Sequence, residues 1–165
     1  MNTPYRFYAS EISYFSGKVR PALRQKGIFF VEHLPTPAAY RDVIRPRTGL
    51  GFIPILVTPD DETWQDTSEI LDALERRHPE PALVPATPVQ RVVAHLLELY
   101  ADEFLVLPAM HYRWSFPESE RKARADFAAA TGDPAGASKF ADRMSGSIAM
   151  LGVRPESHAA IEAHL

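Results

Sequence analysis

The hydrophobic positions change period along the chain. Residues 5–9 (Tyr-Arg-Phe-Tyr-Ala) are aromatic-rich and predict a strand. From Ser16 onward, Val19, Ala22 and Leu23 fall on a helical spacing. Ser13 or Ser16 can cap that helix, and Gly27 can take the left-handed position at its end. Pro21 lies inside the pattern, which is compatible with a helix that starts late or bends there. Residues 28–31 (Ile-Phe-Phe-Val) predict a second strand, joined to the first in a parallel, right-handed unit. Residues 35–43 read as a short helix or irregular segment, and 45–51 as a loop. A third strand follows over 55–57, then a tight turn over 59–62 and a returning strand over 63–65. Asp66 and Glu69 form a capping-box pattern ahead of a helix that carries Ile70, Leu71 and Leu74 and stops before Pro79.

Beyond residue 78 the pattern becomes helical throughout. Pro79, Pro81, Pro85 and Pro88 make a stiff, extended linker. Val89, Val92, Val93, Leu96, Tyr100, Phe104 and Leu107 then trace one face of a long helix that Pro108 ends or kinks. Ser115-Phe116-Pro117-Glu118 resembles a second capping box, opening a helix that Gly132 stops. Another helix is expected over 137–151 with Gly152 behind it, and a last one from Pro155. The segment 157–165 carries no stop signal, as in a helical domain cut short.

Composition narrows the chemistry. The chain has 165 residues, enough for one ordinary domain or two small ones. Eighteen Lys and Arg stand against 21 Asp and Glu, a net charge of −3, so no strong basic field is present to hold nucleic acid or an anionic membrane. Cysteine is absent, which removes disulfides, thiolate metal sites and every cysteine nucleophile. His78, His95, His111, His158 and His164 show no paired i, i+4 spacing, so a metal site is not expected. The first ten residues lack an apolar signal-peptide core and the longest apolar run, 49–57, is too short for a bilayer, so a soluble cytoplasmic protein is expected. Proline is in surplus, about 9% against a usual ~5%, and acts as punctuation rather than as a low-complexity tract.

Three segments in order carry a family resemblance. Ser13-Tyr14-Phe15-Ser16-Gly17-Lys18-Val19-Arg20 resembles a serine-containing turn into a first helix. Ile53-Pro54-Ile55-Leu56 resembles a V-P-x-L segment, and Gln65-Asp66-Thr67-Ser68-Glu69-Ile70 an (E/D)-(S/T)-x-x-I segment. With the βαβ–ββα order, His78-Pro79 and the proline-rich linker, these are similar to the glutathione S-transferase family. The match covers Tyr5 to about Trp114. It implies an α/β fold: a thioredoxin-like βαβ–ββα domain over 1–79, a linker over 80–88, and an incomplete all-α domain over 89–165.

The resemblance also implies roles. A free thiol titrates near 8.5, and a hydrogen-bond donor at a helix N-terminus favours its thiolate. Ser13 is the first choice for that donor, Ser16 the second, with Tyr14 and Tyr8 behind them. Either serine can equally be a helix cap. Pro54 would be cis, with Ile53 offering its backbone N–H and C=O to the cysteinyl part of glutathione. Thr67 would hold the γ-glutamyl carboxylate and Asp66 the nearby amino group, at a helix start that also suits a plain cap. The family's Lys ahead of the proline is replaced by the stretch from Arg47 to Phe52; Arg47 or Arg45 either takes over the contact to the glycyl carboxylate or, as the simpler reading, is solvated. Met110, Tyr112 and Trp114 either pack in the core or line an apolar pocket. The expected activity is conjugation of glutathione, as co-substrate, to a small apolar electrophile by a homodimer. The alternative is a glutathione-binding or protein-interaction module without catalysis.

Overall fold

The computed structural model describes residues 3–164. The chain forms two compact units that divide between Val84 and Pro85, inside the 80–88 linker segment.

In the first unit, β1 (Tyr5–Tyr8), α1 (Tyr14–Gln25) and β2 (Phe30–His33) form the parallel crossover. A helical segment follows: α2 (Pro37–Ala39), a π-helical turn (Tyr40–Ile44) and α3 (Arg45–Thr48). β3 (Ile55–Val57), β4 (Thr63–Gln65) and α4 (Thr67–Arg77) complete the unit. The sheet order is β2-β1-β3-β4, with β3 antiparallel to both β1 and β4. This is the thioredoxin-like arrangement expected from the sequence. Phe7, Val19, Leu23, Leu56, Ile70 and Leu74 are fully buried where the sheet meets α1 and α4. On the other face Tyr8, Ile44, Ile55 and Val57 are buried against the helical segment.

Several boundaries differ from expectation for local reasons. α1 begins at Tyr14 because Ser13 caps it, and it runs through Pro21, whose ring is solvent-exposed. β2 starts two residues late. Ile28 N–H is used to close α1, donating to Leu23 C=O while Gly27 N–H donates to Arg24 C=O. With Gly27 at φ +63, these two bonds make a Schellman end. Residues 45–48, expected as loop, are helical, and the helix ends at Gly49 with φ +71.

The second unit is all-helical, with α5 (Pro88–Glu103), α6 (Val106–Trp114), α7 (Pro117–Thr131), α8 (Pro134–Ser147) and α9 (His158–Ala163). The last helix, expected to run from Pro155 without a stop signal, is α-helical over His158–Ala163; Leu165 lies outside the described residues. The long helix breaks at residues 104–105 rather than at Pro108 itself. Proline has no N–H to give the carbonyl four residues back, and Phe104 C=O instead receives Leu107 N–H. The apolar stripe of α5 is not a core face, since no residue of α5 is buried. The core is built from Met110, Trp114, Ala123, Ala137, Ala141, Val153 and Ile161, with Trp114 stacked on Phe127 at 6.1 Å. α8 starts earlier than expected because Asp133 caps it through Gly136 N–H. No helix among the described residues is long and apolar enough to cross a membrane.

Candidate functional site

Strand register brings three segments to one end of the sheet. Ile55 pairs with Tyr8 on β1 and with Gln65 on β4. The residues after Tyr8, before Ile55 and after Gln65 therefore leave the sheet at the same edge. They are the turn into α1, the Ile53–Pro54 loop and the start of α4. All six site residues read from the sequence, Ser13, Ser16, Ile53, Pro54, Asp66 and Thr67, belong to these segments.

The two serines have different surroundings. Ser13 is half-buried and is the N-cap of α1, with its Oγ accepting from Ser16 N–H at 3.2 Å. A hydroxyl that accepts still has its own proton to donate. Ser16 is fully buried, and its Oγ accepts from Ser10 N–H at 3.4 Å, closing the β1–α1 turn. The fallback Tyr8 is buried and stacked on His33 at 5.0 Å. Ser10, which the sequence did not single out, is buried with its Oγ unpartnered among the described residues.

The Ile53–Pro54 peptide is cis, and Pro54 is buried while Ile53 is half-buried. Across the edge, Gln65 Nε2 donates to Phe52 C=O at 3.4 Å, linking this loop to β4.

Asp66 has φ +70, outside the range that most L-residues adopt. From there its Oδ1 accepts from Ser68 N–H at 3.0 Å and Glu69 N–H at 3.5 Å. The cap thus takes the second and third amides of α4. Among the described residues, the Thr67 N–H and hydroxyl have no acceptor or donor, so a helix N-terminus keeps two polar groups for a ligand. Lys18 Nζ donates to Ser68 Oγ at 3.0 Å and brings a positive charge from α1 to the first turn of α4. Lys18 and Ser68 are 50 positions apart, and only the fold brings them together.

Arg47 is not simply solvated. It forms two hydrogen bonds to the Asp61 carboxylate, at 2.8 and 3.0 Å, and one to Thr63 Oγ1 at 3.1 Å. Hydrogen bonding from Arg47, with Arg6 on its other side, holds the Asp61 carboxyl below its ordinary range. This cluster braces α3 against the β3–β4 turn. In the second unit, Met110 and Trp114 are core residues and Tyr112 is 43% exposed. Among the described residues no group of three His, Cys, Asp or Glu side chains is placed to hold a metal ion.

Residues 7–82 match the family described as "Glutathione S-transferase, N-terminal domain". The chain is 30% identical over 99 residues to the uncharacterized GST-like protein YibF of Escherichia coli, covering 59% of this chain and 48% of that protein. It is similar to a glutathione S-transferase from Methylobacterium radiotolerans, crystallised with glutathione sulfonate. The TM-score is 0.57 at 25% identity, over 88% of this chain and 64% of that one. A glutathione S-transferase from Methylobacillus flagellatus with glutathione bound has the same fold, with a TM-score of 0.57 at 22% identity over 84% and 67% of the two chains. The chain spans about half the length of the curated relative it matches.

Proposed function

From its membership of the glutathione S-transferase family, with residues 7–82 forming the N-terminal domain, we propose that this chain binds glutathione at the sheet edge described above and transfers it to a small apolar electrophile. The observation that carries the reading is Thr67. At the start of α4 its N–H and hydroxyl have no partner among the described residues, one strand away from the cis Ile53–Pro54 loop. The γ-glutamyl carboxylate would lie on Thr67, favoured by the helix N-terminus. The cysteinyl backbone would pair with Ile53, and the Asp66 carboxylate would face the γ-glutamyl amino group.

In this reading Ser13 activates the thiol. Its oxygen caps α1 while its proton is donated to the sulfur, and both the hydrogen bond and the positive helix end favour thiolate. The thiolate attacks the electrophilic carbon and the leaving group departs with its electron pair. The protein supplies orientation and a lowered thiol pKa. Ser16 supports the turn and does not touch the thiol. A homodimer acting in the cytoplasm is the expected setting.

The test is retention of the folded chain on immobilised glutathione, followed by turnover of an activated aryl halide. Retention lost in Thr67→Ala supports the site. Absence of retention by a folded wild-type chain overturns it, and retention without turnover leaves a binding module only.

A further inference from the structure

The second unit holds a cluster that the glutathione reading does not use. His111 on α6 is fully buried. Its Nδ1 lies 2.9 Å from the Oγ of Ser115, one turn further along, and its Nε2 lies 2.9 Å from Oε1 of Glu162 on α9. His158, one turn before Glu162, places Nε2 3.4 Å from the same Ser115 Oγ, and its ring centroid is 4.2 Å from that of His111.

Partner chemistry places the protons. An ionised carboxylate only accepts, so Nε2 of a neutral His111 carries its hydrogen toward Glu162. Nδ1 is then bare and accepts from the Ser115 hydroxyl. In the His158 tautomer that carries hydrogen on Nε2, that ring donates to the Ser115 oxygen. The result is a serine whose proton points at an imidazole that a carboxylate orients, which is how a nucleophile–base–orienter set is recognised.

Two further features fit. Ser115, expected to cap α7, does not; the N-cap is Phe116 and no side chain caps the helix. Among the described residues no side chain caps the first-turn amides of Glu118 and Ser119, which follow Ser115 in the chain and would be the nearest helix-start donors to a developing oxyanion. Tyr112 and Phe116 are stacked at 5.7 Å and are 43% and 39% exposed, an aromatic surface beside the half-buried Ser115.

We propose that Ser115 is an acyl-accepting nucleophile for small apolar carboxylic esters, with His111 as its base and Glu162 as a positioning residue. Ser115 Oγ bonds to the ester carbonyl carbon and its proton passes to His111 Nδ1. The bond to the alkoxy oxygen breaks, and the alcohol departs with that proton. Water then adds to the acyl-serine, giving a proton to His111. The acid leaves and the proton returns to Ser115. Water is the only co-reactant, and the step is independent of glutathione.

The experiment treats the full chain with p-nitrophenyl acetate and, separately, with a serine-directed fluorophosphonate, and locates the adducts by peptide mass spectrometry. The expected result is a nitrophenolate burst of one equivalent and label on Ser115, abolished in Ser115→Ala. His111→Gln should slow labelling about 100-fold or more. Glu162→Gln, at a side chain 47% exposed and therefore tolerant of substitution, should slow it about tenfold or more without unfolding the chain. A folded wild-type chain labelled only on lysines, or not at all, overturns the proposal. So does Ser115 labelling whose rate is unchanged in a folded Glu162→Gln chain.

Discussion

The ammonium of Lys26, on a side chain with no exposed surface, lies 2.6 Å from the carboxylate of Glu75 and joins the end of α1 to α4. Lys26 also donates to His78 C=O at 2.5 Å and Pro81 C=O at 3.0 Å. Glu75 accepts from Leu83 and Val84 N–H at 3.1 and 3.3 Å. The pair thus fastens residues 78–84 to the first unit. Removing the carboxylate leaves a buried ammonium without its counter-charge, so Glu75→Ala should lower the stability of this unit by about 3 kcal/mol in urea unfolding.

The same pair sets an acid limit. Burial works to raise the Glu75 carboxyl, but Lys26 and the two amides outweigh it and hold the group below its ordinary range. A carboxyl lowered on folding contributes stability that is complete above its unfolded value, about 4.3. That contribution is lost as pH falls through the lower folded value. The stability difference between wild type and Glu75→Gln should therefore be constant near neutrality and shrink below about pH 4. A difference that does not change with pH would show that the pair is not ionic.

His78 should produce a second pH dependence. Its Nε2 lies 2.8 Å from the Tyr5 hydroxyl. Burial, with Arg77 and Lys26 nearby, lowers the His78 pKa, while burial raises that of Tyr5. The neutral forms are thus favoured, with the phenol donating to the ring. A histidine lowered on folding contributes stability present above about 6.5 and lost as pH falls through the folded value. Thermal melts of His78→Gln should lose this slope between neutral and mildly acid pH.

Much of the site was legible because it is local. The Ser13 cap, the Pro54 turn and the Asp66 cap are each written within four residues, and the order of the strands brings them to one edge. What escaped notice depends on distant partners. Lys26 and Glu75 are 49 positions apart, and neither stands in a motif. Ser115-Phe116-Pro117-Glu118 has the form of a capping box, yet the hydroxyl bonds backward to His111, four residues before it, whose ring also meets Glu162, 51 positions further on. The α5 stripe has helical periodicity, which identifies a helix but not what covers it.

Asp66 combines a useful side chain with an unfavourable backbone. At φ +70 the Cβ is strained, while the carboxylate caps two amides of α4. Asp66→Gly relieves the strain and gives up only a few tenths of a kcal/mol of capping. Asp66→Ala gives up about 1 kcal/mol of capping and keeps the strain. Chemical denaturation should rank Asp66→Gly at or above wild type and Asp66→Ala clearly below both. If the carboxylate also faces the amino group of glutathione, both variants should weaken binding in calorimetry despite their different stabilities.

Ser13 allows capping and thiol activation to be separated. Ala removes the cap and costs about 1 kcal/mol of helix stability, whereas Gly costs only a few tenths. Neither offers a hydroxyl. If Ser13 donates to the sulfur, Ser13→Gly should remain nearly as stable as wild type, and bound glutathione should titrate at higher pH, read from thiolate absorbance in the ultraviolet. Loss of one such hydrogen bond raises the thiol by about one pKa unit or more, and turnover below that pKa should fall about tenfold. The KM for glutathione should change little, because the proposed binding contacts are those of Ile53 and Thr67. An unshifted thiolate titration in a folded Ser13→Gly chain would leave Ser13 as a cap alone. Attention would then turn to Tyr14, which is half-buried one residue further along.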